Sequence, residues 1–316
     1  NGRTAVCTDC HTAHHITLAT SPSFMLDVIN ECGRCHDSPD AAGDRVGTYY
    51  QTYANSYHGQ VTRLGTTRAA RCSDCHGSHD ILPLSDPNSR VAGANLVATC
   101  AKCHPNATPK FAEFDPHANH RDARNYPILH GVWLYFMVMM STVFTFFGLH
   151  TILWFLRSMA DRIRHGPPPK HGKHETAIRR FTTLDRVNHA FVAITFFGLT
   201  ATGIPLVFSQ QEWAGKLAAL VGGVEAAGLW HRAFAVMLIT NFVLHFIGLG
   251  LAFTRRTVSW RAWLFGPNSL LPRWKDAKDL AGMFRWFFGL GPRPSFDRWT
   301  YWEKFDYWAE VGGSMI

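Results

Sequence analysis

The sequence predicts a mainly α-helical protein in two unlike parts. Residues 1–127 form a loop-rich domain dense in Cys and His, and residues 128–316 form a transmembrane helical bundle with three complete spans and the start of a fourth. Three observations carry this prediction. All eight Cys fall before residue 104, three long runs downstream lack any Asp, Glu, Lys or Arg, and the positive charge collects between those runs.

The apolar runs are Ile128–Leu156, Ala190–Phe208 and Ala233–Phe253, of 29, 19 and 21 residues. A helix needs roughly 20 apolar residues to cross the hydrocarbon core of a bilayer. Trp133, Trp154 and Arg157, and again Trp230, Arg232, Arg255 and Arg256, stand at the ends of two runs. Aromatic and cationic ends of this kind fit a membrane better than buried helices of a soluble protein. Asp279–Leu290 contains Arg285 and is too short to span, so it reads as an interfacial or loop helix rich in Trp and Phe. A fourth span begins near Trp302. The sequence opens on Asn and stops at Ile316 in an apolar, Gly-rich stretch, so the chain is expected to continue at both ends.

The net charge of +8 would by itself suggest nucleic acid or an anionic surface. Its distribution excludes the nucleic-acid reading. Residues 1–127 sum to −1, the segment 157–187 carries +5, residues 209–229 carry −1, and 254–302 carry +6. By the positive-inside rule the two basic loops, 157–187 and 254–302, face the cytoplasm. With three spans, residues 1–127 then lie outside, in the periplasm of a bacterium, and the protein sits in the inner membrane among its lipids.

The eight Cys form four pairs, each followed directly by His: Cys7, Cys10 and His11; Cys32, Cys35 and His36; Cys72, Cys75 and His76; Cys100, Cys103 and His104. C-x-x-C-H is the signature of covalent c-type haem attachment. The thiols add to the haem vinyl groups and the adjacent His supplies the proximal iron ligand. Zinc can use C-x-x-C pairs, but zinc does not require a following His. Four chance occurrences at this His frequency have a probability on the order of 10⁻⁵. Two-residue spacing is also poor for a structural disulfide framework. The motifs predict four haem c, attached on the periplasmic side, in agreement with the charge pattern.

The front domain repeats. Cys7–His14 reads C-T-D-C-H-T-A-H and Cys72–His79 reads C-S-D-C-H-G-S-H, each followed by another C-x-x-C-H. This gives two tandem di-haem units. Each unit offers one His three residues past its first proximal His (His14, His79) and one well after its second motif (His58, His117). Four extra His for four irons predict bis-His haems, which pass electrons and leave no open position for substrate. A His three residues past a proximal ligand is expected to reach a neighbouring iron and not its own. His15 and His120 are rival ligands.

His130, His150, His189, His231 and His245 lie in or at the ends of the spans, where ionisable groups are costly and mark function. His231 and His245 are 14 residues apart, which places them on one helix face about 21 Å apart, so one helix can serve two stacked haems. His130 and His150 face opposite ways. Depth pairs His189 with His245 for a cytoplasmic-side haem b, with His150 as an alternative partner. For His231 the partner is His130 or a His on the incomplete fourth span.

Arg186-Val187-Asn188-His189, followed by Thr202-Gly203, resembles the opening span of the di-haem cytochrome b subunits of formate dehydrogenase and nickel-iron hydrogenase. Leu229-Trp230-His231 sits where that family carries another ligand, and Trp302-Glu303-Lys304-Phe305-Asp306-Tyr307-Trp308 is similar to the start of a later span. The resemblance covers about residues 178–316 and implies a four-helix bundle, two haem b and a quinone site. The chain departs from the family in its preceding span and its fused c-type domain. The front half is similar to the multihaem c-type cytochromes of respiratory electron transfer.

The order of the parts predicts a quinone-reactive membrane subunit of a multisubunit respiratory complex. It would exchange electrons between the quinone pool and a periplasmic redox protein or catalytic subunit. Candidates for the quinone site are Asp185, Arg186, Glu303 and Lys304, set against ordinary interfacial salt bridging and snorkelling. A second class is an electron conduit and membrane anchor for a hydrogenase-type or formate dehydrogenase-type subunit, with no quinone chemistry of its own. A terminal reductase would need an open axial site or a variant attachment motif, and the sequence offers neither.

Overall fold

A computed structural model describes residues 5–11, 13–14, 16–38, 46–166 and 180–315. The chain is 66% helix, with no strand among the described residues. His15 and residues 167–179 of the first basic loop lie outside them.

The front domain contains short helices: α1 (Cys7–His11), α2 (Pro22–His36), α3 (Tyr49–Asn55), α4 (Tyr57–Arg63), α5 (Cys72–His76), α6 (Gly93–Ala101) and α7 (Pro109–Ala112). Local capping starts several of them. Ser21, Thr48, Ser56 and Thr108 each accept a backbone N–H three residues on, and Pro22 and Pro109 follow two of these caps directly, where a missing N–H costs nothing.

Three long helices follow: α8 (Pro127–His165, 39 residues), α9 (Thr183–Val207, 25 residues) and, after the short α10 (Glu212–Leu220), α11 (Gly223–Thr254, 32 residues). Each is long and apolar enough to cross a membrane, and only 0%, 11% and 0% of their most apolar stretches are buried inside the chain. Apolar helices that bury so little of themselves against their own chain belong in a nonpolar solvent, so this is a membrane protein. Beyond them lie α12 (Trp260–Phe265), α13 (Trp274–Phe287) and α14 (Tyr301–Met315). At 15 residues, α14 reaches about 22 Å, less than a full span. The short helix expected at Asp279–Leu290 starts earlier, because the Asp276 carboxylate accepts the Arg273 backbone N–H at 2.6 Å and caps it there.

The chain forms two compact units that cut across the sequence boundary at residue 127. The first joins Asn1–Phe136 to Gly198–Arg232, and the second joins Met137–Phe197 to Ala233–Ile316. In the first, the α9–α11 turn is tied to the front domain. Glu225 accepts from Thr66 Oγ1 at 3.1 Å and from Arg68 at 3.4 Å, and Gln210 donates to Asn55 at 3.1 Å. The loop of charge −1 and the front domain therefore lie on one side. In the second unit a small core of Met283, Trp286 and Phe287 packs with Leu153, Phe284, Phe296 and Tyr301. Beside it, Lys304 donates to both carboxylate oxygens of Asp276 at 2.9 and 2.8 Å, with Lys304 1% and Asp276 9% exposed.

Candidate metal centres

In a helical turn, residues i, i+3 and i+4 share a face. Helix α1 and helix α5 each consist of one C-x-x-C-H motif, and the last turn of α2 carries Cys32, Cys35 and His36. Both thiols and the imidazole of these three motifs thus project to one side. Asp9 and Asp74, inside the repeated C-x-D-C-H, start these turns: Asp9 accepts from Val6 N at 2.9 Å and Asp74 from Arg71 N at 2.8 Å. Burial works against the Asp74 charge, but the Arg71 side chain, also at 2.8 Å, outweighs it and holds the carboxyl below its ordinary range. All eight thiols are free, and Cys32 of the second motif lies close to Cys72 of the third.

The imidazoles pair across the domain. His11 faces His79, His58 faces His104, and His76 faces His117, each with ring centroids 6.3 Å apart. A metal–imidazole bond is about 2 Å and the ring centre lies about 1 Å behind its nitrogen, so two rings on opposite sides of one metal ion stand about 6 Å apart. Each pair joins a proximal His of one motif to a His expected to be distal. The His79 ring reaches the first motif and not its own, because Gly77 turns the chain at φ 84°. A Cβ there would meet Asp80 Oδ1 at 2.5 Å, and Asp80 is locked by Arg90 at 3.0 and 3.1 Å. Burial, then His104, pushes the His58 pKa down, and burial, then His36, does the same for His76. Both rings are kept neutral, the form that ligates metal. His36 stands within electrostatic reach of His76, and His14 lies in an exposed bend after α1. Among the described residues neither His14 nor His36 joins such a ring pair.

Hydrogen bonds sort the remaining histidines. Thr52 Oγ1 donates to the Thr48 carbonyl at 3.0 Å, so towards His117 Nδ1, at 2.9 Å, it accepts. Thr202 Oγ1 donates to the Gly198 carbonyl at 2.8 Å and accepts from His231 Nδ1 at 2.9 Å. His130 Nδ1 donates to the His120 carbonyl at 2.9 Å. A hydroxyl has one proton and a carbonyl none, so in all three rings Nδ1 carries the hydrogen and Nε2 keeps its lone pair, as in a metal-ligating His with a positioned second nitrogen. Gly203 adds room: a Cβ there would approach His231 Cε1 to 3.3 Å.

His150 and His245 differ. His150 Nε2 is hydrogen-bonded to the Tyr301 hydroxyl, and its ring, 7% exposed, is enclosed by Phe146, Phe284, Phe287, Tyr301 and Trp302. This is the packing of a satisfied core histidine, and ligation there requires Tyr301 to turn aside. His245 Nε2 meets the Tyr307 hydroxyl at 2.9 Å on a half-buried ring, so ligation there requires Tyr307 to turn aside. His189 and His245 both lie within electrostatic reach of Glu310.

The quinone-site candidates have structural partners. Glu303 binds Arg180 at 2.9 and 3.0 Å and caps Thr300 at 2.8 Å. Asp185 accepts from Thr182 N at 2.7 Å, Lys304 is paired with Asp276, and Arg186 is exposed on the first turn of α9.

No group of three or more His, Cys, Asp or Glu able to hold a metal ion occurs among the described residues. Bis-imidazole ligation of haem needs only two protein ligands per iron, and the pairs supply two. Sequence reasoning passed over Asp9, Asp74, Thr52 and Gly77. The Asp residues were visible as cap signals inside the repeat, whereas Thr52 is 65 residues from its His117 partner and left no local mark. No family model, curated protein or solved structure matches the chain.

Proposed function

We propose that this chain is the membrane electron-transfer subunit of a respiratory complex in the bacterial inner membrane, with the front domain in the periplasm. The three imidazole pairs at 6.3 Å carry the reading, because each unites a C-x-x-C-H histidine with a histidine singled out by the repeat. Four haem c, when attached, supply one-electron carriers with both axial positions filled. The eight Cys hold them, His11, His36, His76 and His104 ligate one side, and His79, His117 and His58 ligate the other side of the first, third and fourth. For the second, His14 remains the candidate opposite His36.

Two haem b complete the chain across the bundle. His231 and His130 present open Nε2 atoms within the first unit and are the ligands we assign nearer the periplasm. His189 and His245 serve the other, and His150 is left out of the ligand set. The resemblance to the di-haem cytochrome b subunits supports this arrangement and adds a quinone as substrate. The conduit reading gains from one observation: Asp185, Glu303 and Lys304 are held in caps and ion pairs and are poorly placed to donate protons to a quinol.

A pyridine haemochrome assay on the purified protein tests the assignment. The expected result is c-type and b-type signals at two to one. Reduction of these signals by menadiol supports the quinone-linked role. Absence of the b-type signal overturns the bundle assignment, and a menadiol-inert protein leaves the conduit. Replacing Thr202 with Val removes the acceptor for His231 Nδ1. Loss of a partner in this position costs about 10–100-fold in metal affinity, so Thr202→Val is expected to lower the b-to-c haem ratio and leave the c-type signal intact. An unchanged ratio would show that Thr202 does not orient a ligand.

A further inference from the structure

The segment 115–130 joins the third imidazole pair to the first long helix, and it is held along its length. Asp115 accepts from the His117 backbone N–H at 2.8 Å and, through its other oxygen, from the Tyr126 hydroxyl. Asn119 donates to the Val46 carbonyl at 2.6 Å. Asp122, 3% exposed, accepts from Arg124 N, Asn125 N and Asn125 Nδ2 at 3.2, 3.0 and 2.6 Å. The chain then enters α8, where His130 N donates to the Tyr126 carbonyl at 2.9 Å.

This braced segment links two imidazoles. His117 faces His76. Three residues on, the His120 carbonyl accepts from His130 Nδ1 at 2.9 Å. A parallel contact runs through Trp133, whose ring centroid lies 5.3 Å from His120 and 5.6 Å from His130. One stretch of backbone, one hydrogen bond and one half-buried indole therefore connect the ring facing the third motif to a ring at the start of a membrane helix. His58 instead faces His104 of the fourth motif.

Building on the electron-transfer reading above, the geometry points to the 117–130 segment as the junction between the membrane and periplasmic carriers. Through it, the motif of Cys72, Cys75 and His76 is the first c-type site to exchange electrons with the site of His130. The step would be a one-electron transfer between the groups that His76 and His117, and His130, would hold. No bond breaks and no proton moves. His120, through its carbonyl, and Trp133 are positioning and coupling residues and touch neither iron.

The test uses the whole protein in detergent with His117→Met, His58→Met and Trp133→Leu. Met in place of an axial His raises the potential of its haem and alters its spectrum, which labels one carrier in each Met variant. After a menadiol pulse, the labelled signal of His117→Met is expected to be reduced in the same kinetic phase that reoxidises the b-type signal. That of His58→Met is expected to follow in a later phase. Trp133→Leu is expected to leave every haem spectrum and midpoint potential in a redox titration at the wild-type value while slowing b-to-c transfer severalfold. A His58→Met label reduced first, or Trp133→Leu transferring at the wild-type rate, overturns the junction. A wild-type protein in which a reduced b-type signal passes no electron to the c-type signals, whether menadiol or substoichiometric dithionite reduced it, would overturn the electron-transfer reading itself, before the variants are compared.

Discussion

His79→Met is expected, on the proposed haem c assignment, to raise the reduction potential of the haem held by Cys7 and Cys10, and to leave that held by Cys72 and Cys75 at its wild-type value. This runs against sequence proximity, since His79 follows His76 by only three residues. The Gly77 turn sends it away, and its ring lies 6.3 Å from that of His11. Axial ligands set haem potentials over roughly 0.8 V, and a change from bis-His to His/Met moves the potential upward. Four haem c should remain attached, because no thiol changes. A redox titration reads the shift. In a Cys7→Ala/Cys10→Ala background the shifted component should vanish, and its persistence there would show that His79 serves a different iron.

Lys304→Met is expected to destabilise the second unit by about 3–5 kcal/mol, because it leaves the Asp276 carboxylate buried without its counter-charge. Asp276 also caps α13 through the Arg273 N–H, so the loss reaches the core formed by Met283, Trp286 and Phe287. Apolar replacement of both partners removes the stranded charge, and Lys304→Met/Asp276→Leu should recover part of the stability, short of full recovery because the cap is gone. Thermal unfolding in detergent, followed by circular dichroism, measures both. If Lys304→Met melts with the wild type, the pair is not the anchor of α14 on α13.

Much of this was legible in the sequence, for reasons that differ from place to place. The three long helices followed from length and the exclusion of charge, a pattern that depends on the bilayer and not on tertiary detail. The set of histidines facing the first, third and fourth motifs followed from the repeat and from counting ligands against irons. The pairing did not, because it depends on a left-handed turn at Gly77 and on contacts such as Thr52 with His117 between distant segments. For His150 the sequence left both roles open, because a histidine in an apolar run reads the same whether it faces a metal or an aromatic cage. The cage is built from α13 and α14, more than 130 residues away. Lys304 and Glu303 were seen as charges near a membrane surface. Their partners, Asp276 and Arg180, lie on segments that periodicity cannot bring together.

The Cys32–Cys72 contact has a bearing on how the protein is made. These thiols belong to different motifs and lie close to one another. In an oxidising environment that neighbourhood favours a disulfide, which would consume one thiol from the second motif and one from the third. On the proposed haem assignment, both thiols would have to stay reduced until they are used for attachment.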